Sequence, residues 1–145
     1  MYKHILIPTD GSNLAGMAIT HGIQFAKEIG AKVTGVTVSE PFHLLTIAPN
    51  QLEYTRAEHR KHCEAYAAEV LRAVSAAATA AGVACETVHI EHAHPYKAII
   101  DTATANGCDL IIMASHGRRG IEAIVLGSET TKVLTHSKIP VLVHR

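Results

Sequence analysis

The chain lacks most of what would commit it to a charged, disulfide-bonded or membrane-spanning protein. Thirteen basic residues cancel thirteen acidic ones over 145 positions, so there is no global charge excess of the kind that draws nucleic acid or a membrane surface. Anion binding has to be local. The three cysteines, Cys63, Cys85 and Cys108, are odd in number and fall outside any paired spacing. That excludes a disulfide frame or zinc site and predicts reduced, mostly buried thiols. No apolar run approaches membrane-spanning length. Ile5-Leu6-Ile7 stops at Pro8, too soon for a secretory leader, and the expectation is a cytoplasmic protein with neither nucleic acid nor membrane as partner. The common nucleotide signatures are missing too. There is no Gly-x-x-x-x-Gly-Lys-Ser/Thr, and no Gly-x-Gly-x-x-Gly after the first strand, which counts against conventional NAD or FAD binding. A Gly-x-Ser-x-Gly elbow is also absent.

What is present is an alternation of short apolar runs with longer segments of helical period. Ile5-Leu6-Ile7 reads as a strand covered on both faces. Leu14, Met17, Ala18, Gly22, Phe25, Ala26 and Ile29 then recur at helical spacing, with Ser12 or Asn13 suited to cap the helix and Gly30 to end it. Residues 33–38 are β-branched and predict a second strand. The pattern lapses over 39–50, where Pro41 and Pro49 sit in a fairly apolar loop. A long helix fits 52–81, its apolar face carrying Cys63, Tyr66, Ala67, Val70, Leu71, Val74, Ala77, Ala78 and Ala81. Residues 83–91 alternate polar Thr87, His89 and Glu91 with Val88 and Ile90, as in an edge strand with one wet face. Pro95 opens a short helix that Gly107 closes. A fourth strand over 108–114, a helix over 128–136 and a fifth strand over 139–143 complete the order.

Strict β-α alternation implies one domain over 1–145: an α/β fold with an open five-stranded parallel sheet, right-handed crossovers and helices on both faces. Such sheets bind ligands beyond the carboxyl ends of their strands, where strand order reverses. With the first strand central, that crevice lies between the loops after the first and fourth strands. The first loop carries Asp10-Gly11-Ser12. The second runs Ala114-Ser-His-Gly-Arg-Arg-Gly-Ile-Glu-Ala-Ile-Val-Leu-Gly-Ser, with Gly117 and Gly127 nine residues apart.

A strand, a glycine-bearing loop and a helix N-terminus together suit phosphate, because glycine admits the anion close to backbone N–H groups and the helix dipole favours negative charge. The same glycines also suit a plain turn and a helix entry. Ser128 is placed to cap the last helix, or to donate its hydroxyl to a phosphate oxygen. Of the adjacent Arg118 and Arg119, only one can face a single ligand, and Arg118 follows Gly117 directly. Asp10 is either a turn residue or an acceptor for ribose hydroxyls. His116 lacks a neighbouring nucleophile and orienting group, and reads as a loop-shaping residue or minor ligand contact. His59 and His62 beside Cys63, and His89, His92 and His94 near a strand end, read as solvent-facing histidines rather than metal ligands.

The whole chain resembles the universal stress protein family. The resemblance rests on the opening Ile5-Leu-Ile-Pro-Thr-Asp-Gly-Ser, on Ala114-Ser-His-Gly117, the nine-residue gap and Gly127-Ser128, and on the closing Ile139-Pro-Val-Leu-Val. The ATP-binding branch carries Gly-x-x-Gly, nine residues, then Gly-Ser or Gly-Thr, and here Ala114 replaces the first glycine. The resemblance implies a Rossmann-like fold of the adenine nucleotide alpha hydrolase-like type. It also implies an adenine nucleotide, ATP or AMP, with or without Mg2+. Phosphates would lie on Gly117, Gly127, Ser128, Arg118 and the backbone of Glu129. Asp10 with Pro8 and Thr9 would border ribose and adenine, and the backbone near Val38 would read the adenine edge. Met113, Ala114, Ser115, His116 and Thr130 complete the implied site. No residue is implied to be catalytic, and at most a weak ATP hydrolysis is in view. The family further implies a cytosolic stress-response homodimer formed through the last strand (Ile139-Pro140-Val141-Leu142-Val143). The short, apolar, terminal character of 141–143 is itself that of a strand in need of cover. A module of the same fold that binds no nucleotide, and a slow ATPase, are the alternatives.

Overall fold

The computed structural model describes residues 1–42, 56–117 and 126–145. Five strands, β1 (His4–Pro8), β2 (Lys32–Ser39), β3 (Cys85–Glu91), β4 (Leu110–Ala114) and β5 (Val141–His144), form one parallel sheet in the order β3-β2-β1-β4-β5. Four helices connect them: α1 (Asn13–Ile29), α2 (Arg56–Ala81), α3 (Pro95–Ala105) and α4 (Ser128–His136). β1 is central, and the chain reverses direction across the sheet between β1 and β4, as the alternation predicts.

The two faces of the sheet carry separate apolar layers. Ile5, Ile7, Val33, Leu110 and Ile112 meet Ile19, Ile23 and Ala26 of α1 and Val74 and Ala78 of α2. Leu6, Val36, Ile111 and Met113 meet Ile99 and Ala103 of α3 and Val133 of α4. Each β1 residue is buried, which is why that strand reads as an unbroken apolar run rather than an alternating one. The outer strand β3 is wetter, as its alternating pattern predicts.

The buried stripe of α1 differs from the one its sequence suggests. Ala15, Ala18, Ile19, Gly22, Ile23 and Ala26 face inward, whereas Met17 and Ile29 are 52% and 38% exposed. Small residues set this rotation: Gly22 sits against Ile7, and a Cβ at position 22 would come within 2.6 Å of the Ile7 Cδ1. The helix therefore lies close to the sheet on its small-residue side. Ser12 caps it, its hydroxyl accepting from the Ala15 N–H at 3.2 Å, and Gly30 ends it in the left-handed conformation.

The starts of β3, β4 and β5 fall two residues later than expected, for local reasons. Gly82 (φ +73°) and Val83 belong to the α2 exit, with the Val83 N–H donating to Ala78 O, so β3 starts at Cys85. The Cys108 N–H donates to Ala103 O at the end of α3, and β4 starts at Leu110. Ile139 is held in a turn by the Ser137 hydroxyl, and β5 starts at Val141. The expected beginning of the long helix at Leu52 and most of the expected 39–50 loop lie outside the described residues. Of the three free cysteines only Cys108 is buried; Cys63 and Cys85 are half-buried.

Candidate functional site

The carboxyl edge of the sheet brings the two glycine-bearing loops into contact. After β1, Thr9 continues the ladder, its N–H donating to Val36 O at 2.9 Å. The chain then turns sharply. The Asp10 carboxylate accepts from the Ser12 N–H at 3.0 Å, and Gly11 takes a φ of +81°. This Asx turn aims the Asp10 carboxylate at the β4 loop, where it packs directly on Gly117. A side chain at position 117 would occupy the space that the carboxylate fills.

On the other side, Ser115 ties the end of β4 to its neighbours. Its N–H donates to His144 O at 2.7 Å, and its carbonyl accepts from the Gly127 N–H at 2.6 Å. Gly127 lies against the His116 backbone, and a Cβ there would sit 3.1 Å from the His116 Cα. Gly127, rather than Ser128, is the N-cap of α4, with extended backbone (φ −71°, ψ 163°) and no side-chain cap bond. The expected capping role of Ser128 is thereby corrected. The tight fit at His116 puts glycine at the cap, and Ser128 becomes the first helical residue, exposed to solvent. Among the described residues no serine or aspartate side chain caps the opening amides of α4, the arrangement in which a helix N-terminus attracts an anion.

The remaining expected residues divide by what they touch. Thr130 is buried and donates its hydroxyl to Ala114 O at 2.9 Å, which fixes α4 on the end of β4. Glu129 turns its carboxylate away from the crevice to accept from the Tyr96 N–H at 2.8 Å, capping α3. A negative side chain is thereby kept off the anion-attracting helix end. The Met113 side chain lies in the apolar layer against α3 and α4, and Val38 is half-buried beside it. Pro8 and Thr9 are buried at the end of β1. Ala114 ends β4 in extended backbone, and no described non-glycine residue has positive φ. His116 is half-buried, its Nδ1 3.2 Å from the Ser115 hydroxyl. Arg118 and Arg119 lie outside the described residues.

One supporting residue escapes sequence reasoning. Tyr66 of α2 donates its hydroxyl to Asp10 O at 2.8 Å and lies over Gly11, bracing the turn from behind. Helical spacing places Tyr66 on the inner face of α2, but nothing in the spacing says which loop it reaches.

Of the histidines expected to face solvent, His62 and His94 are exposed, while His59, His89 and His92 are half-buried. The His59 Nε2 lies 3.2 Å from Glu40 O and 3.5 Å from the Cys63 Sγ, and the His89 Nε2 pairs with the Ser39 hydroxyl at 2.7 Å. The His92 Nδ1 accepts from the His94 N–H. Among the described residues, no three His, Cys, Asp or Glu side chains converge on a metal geometry.

The amino edge of the sheet is structural. Burial pushes the Cys108 thiol up to about 11, with the nearby Asp109 charge adding to it, so this thiol stays protonated at neutral pH. Burial and then Lys32 lower His4, which pairs with the Thr34 hydroxyl at 2.7 Å. Burial alone would raise Asp109, but the N–H groups of His4 and Lys3 donate to its carboxylate and hold it below its ordinary value.

A parallel five-stranded sheet whose glycine-bearing loops meet at its switch point defines the doubly wound class of α/β proteins, in which ligands, where bound, lie at the carboxyl edge. Within that class the chain belongs to the universal stress protein family, whose sequence model matches residues 1–145. It is 34% identical to a universal stress protein of Methanocaldococcus jannaschii, over 99% of this chain and 82% of that one. The structure of UspA from Lactobacillus plantarum superposes with a TM-score of 0.76 at 26% identity, covering 99% of this chain and 98% of that one. A universal stress protein solved in complex with cAMP shares the fold, with a TM-score of 0.69 at 24% identity, over 99% and 97% of the two chains. No helix among the described residues is long and apolar enough to cross a membrane.

Proposed function

We propose that this protein binds an adenine nucleotide, ATP or AMP, at the carboxyl edge of its sheet and acts in the stress response as a cytoplasmic homodimer. The observation that carries the reading is the packing of the Asp10 carboxylate on Gly117, with the N-terminus of α4 capped by a glycine. A carboxylate for ribose hydroxyls and a set of backbone amides for phosphate then face one crevice. The cAMP complex of a protein of the same fold supports an adenine nucleotide as the ligand class.

In this reading the phosphates rest on the backbone of Gly117, Gly127, Ser128 and Glu129, with the Ser128 hydroxyl as a further donor. Arg118 joins them by its place in the sequence. Asp10 takes the ribose, and the backbone at Val38 and Pro8-Thr9 borders the adenine. Mg2+ would enter on the oxygens of a triphosphate. Ala114 is no obstacle, because extended backbone accepts any L-residue without strain.

Denaturing freshly purified protein and analysing the released small molecules tests the reading. An adenine nucleotide in that fraction, or binding heat on titration with ATP and Mg2+ or with AMP, is the expected result. The absence of both nucleotide and heat would overturn it.

The homodimer is proposed through β5, an edge strand whose Leu142 is 42% exposed. An apolar strand edge of that kind gains by pairing with a second copy. Leu142→Lys is expected to convert a sedimenting dimer into a monomer at the same micromolar concentration. Unchanged sedimentation of the variant counts against this interface.

A further inference from the structure

The imidazoles of His21, on α1, and His144, on β5, meet with their Nδ1 atoms 3.0 Å apart and their rings edge to face, centroids 4.3 Å apart. The His144 Nε2 is buried and has no hydrogen-bond partner among the described residues. The His144 carbonyl accepts from the Ser115 N–H, and β5 pairs with β4 up to Ala114 and His144. One residue therefore joins α1, the edge strand and the loop that opens the candidate nucleotide site. We propose that the His21–His144 pair is an acid-sensitive latch, closed near neutral pH, that holds the C-terminal end of β5 to α1 and steadies Ser115.

The proton count of the pair makes it sensitive. Two Nδ1 atoms at 3.0 Å can share one hydrogen and no more. Because an orphaned buried N–H is rarer and costlier than a bare lone pair, the neutral pair settles with His144 donating from Nδ1 and its Nε2 unprotonated. Adding a proton to His21 places hydrogen on its own Nδ1. His144 must then accept there and carry its hydrogen on the buried Nε2. A second proton sets two N–H groups head to head. Separation of the rings relieves both states.

Among the described residues, the neighbours of the pair offer no compensation. α1 contributes His21, the neighbour whose charge acts on His144. β4 and its extension contribute Ala114 and Ser115, neither of which titrates, followed by His116 against the Ser115 hydroxyl. Arg145 follows in the chain. Burial first, and His21 second, hold His144 below its ordinary 6.5 in the closed state. The His144 ring returns to that ordinary range once the pair separates. Closure is thus fully favoured above about 6.5 and weakens as pH falls through that value, since the open state takes up protons that the closed state refuses.

Amide hydrogen exchange, corrected for intrinsic rates, tests the latch in the intact protein. Between pH 7.5 and 5.5 the β5 and Ser115 amides are expected to lose protection by up to roughly tenfold relative to those of β1, the limit for one histidine held below its ordinary range. His144→Phe removes the titration and should flatten this response. His21→Met, at an exposed helix position, removes the partner ring, should cut the response several-fold and decides the matter if the Phe variant does not fold. Equal loss at β1 and β5, or a wild-type response in His21→Met, overturns the proposal. Only the consequence for ligand binding rests on the nucleotide reading; exchange at β5 tests the latch whether or not a nucleotide binds.

Discussion

Gly117→Ala is expected to weaken adenine-nucleotide binding by roughly 10- to 100-fold, about 1.4 to 2.8 kcal/mol, while leaving the fold intact. A methyl group at this position lands on the Asp10 carboxylate, at a distance no pair of atoms can keep. Either Asp10 swings away, or the backbone after His116 retreats. The first loses the acceptor for the ribose hydroxyls, and the second withdraws amides from the phosphate. Stability should change little, because Gly117 is exposed and no positive φ ties the position to glycine. The same physical cause predicts strong non-additivity with Asp10→Ala. Once the carboxylate is gone the methyl group has nothing to strike, so the double variant should bind no more weakly than Asp10→Ala alone. Titration calorimetry on the four proteins of this cycle gives the answer. Additive losses would show that Gly117 acts by some route other than Asp10.

The meeting of these loops is legible in the sequence because it depends on strand order alone. Continuous burial of Ile5-Leu6-Ile7, β-α alternation and turn glycines place β1 at the centre, and a central first strand puts its loop opposite that of β4. What escapes is set by side chains that reach between elements. Helical spacing cannot show that Tyr66 braces Asp10, that Glu129 turns aside to cap α3, or that Ser115 leans on His144. The α1 stripe is misjudged for a related reason. Large apolar residues mark a helix face by period, but the close approach at Gly22 is a matter of shape, and it rotates Met17 out to solvent. Ser128 follows the same lesson, since a serine at a helix start suggests a cap until the crowding of Gly127 on His116 assigns that role to the glycine.

Shape also governs the second large effect, which lies in the core. Gly35, in the middle of β2, is buried beneath Val74 of α2. A Cβ at position 35 would approach the Val74 Cγ1, Cβ and Cγ2 to 2.9, 3.2 and 3.3 Å. Valine cannot rotate out of the way, because a β-branched side chain in a helix has one favoured rotamer and every outer carbon already faces the strand. The helix must lift from the sheet instead. Gly35→Ala should therefore destabilise by about 1–3 kcal/mol, even though removing a strand glycine is by itself favourable. Val74→Ala errs in the opposite sense. It opens a void under a side chain with no exposed surface and should lose about 2 kcal/mol. Combined, the new methyl at 35 enters the space vacated at 74. The double variant is expected to be more stable than the sum of the single changes by about 1–2 kcal/mol, read from urea unfolding of the four proteins. Additive losses would mean that α2 already rides free of the strand, and that Gly35 is glycine for some reason other than contact.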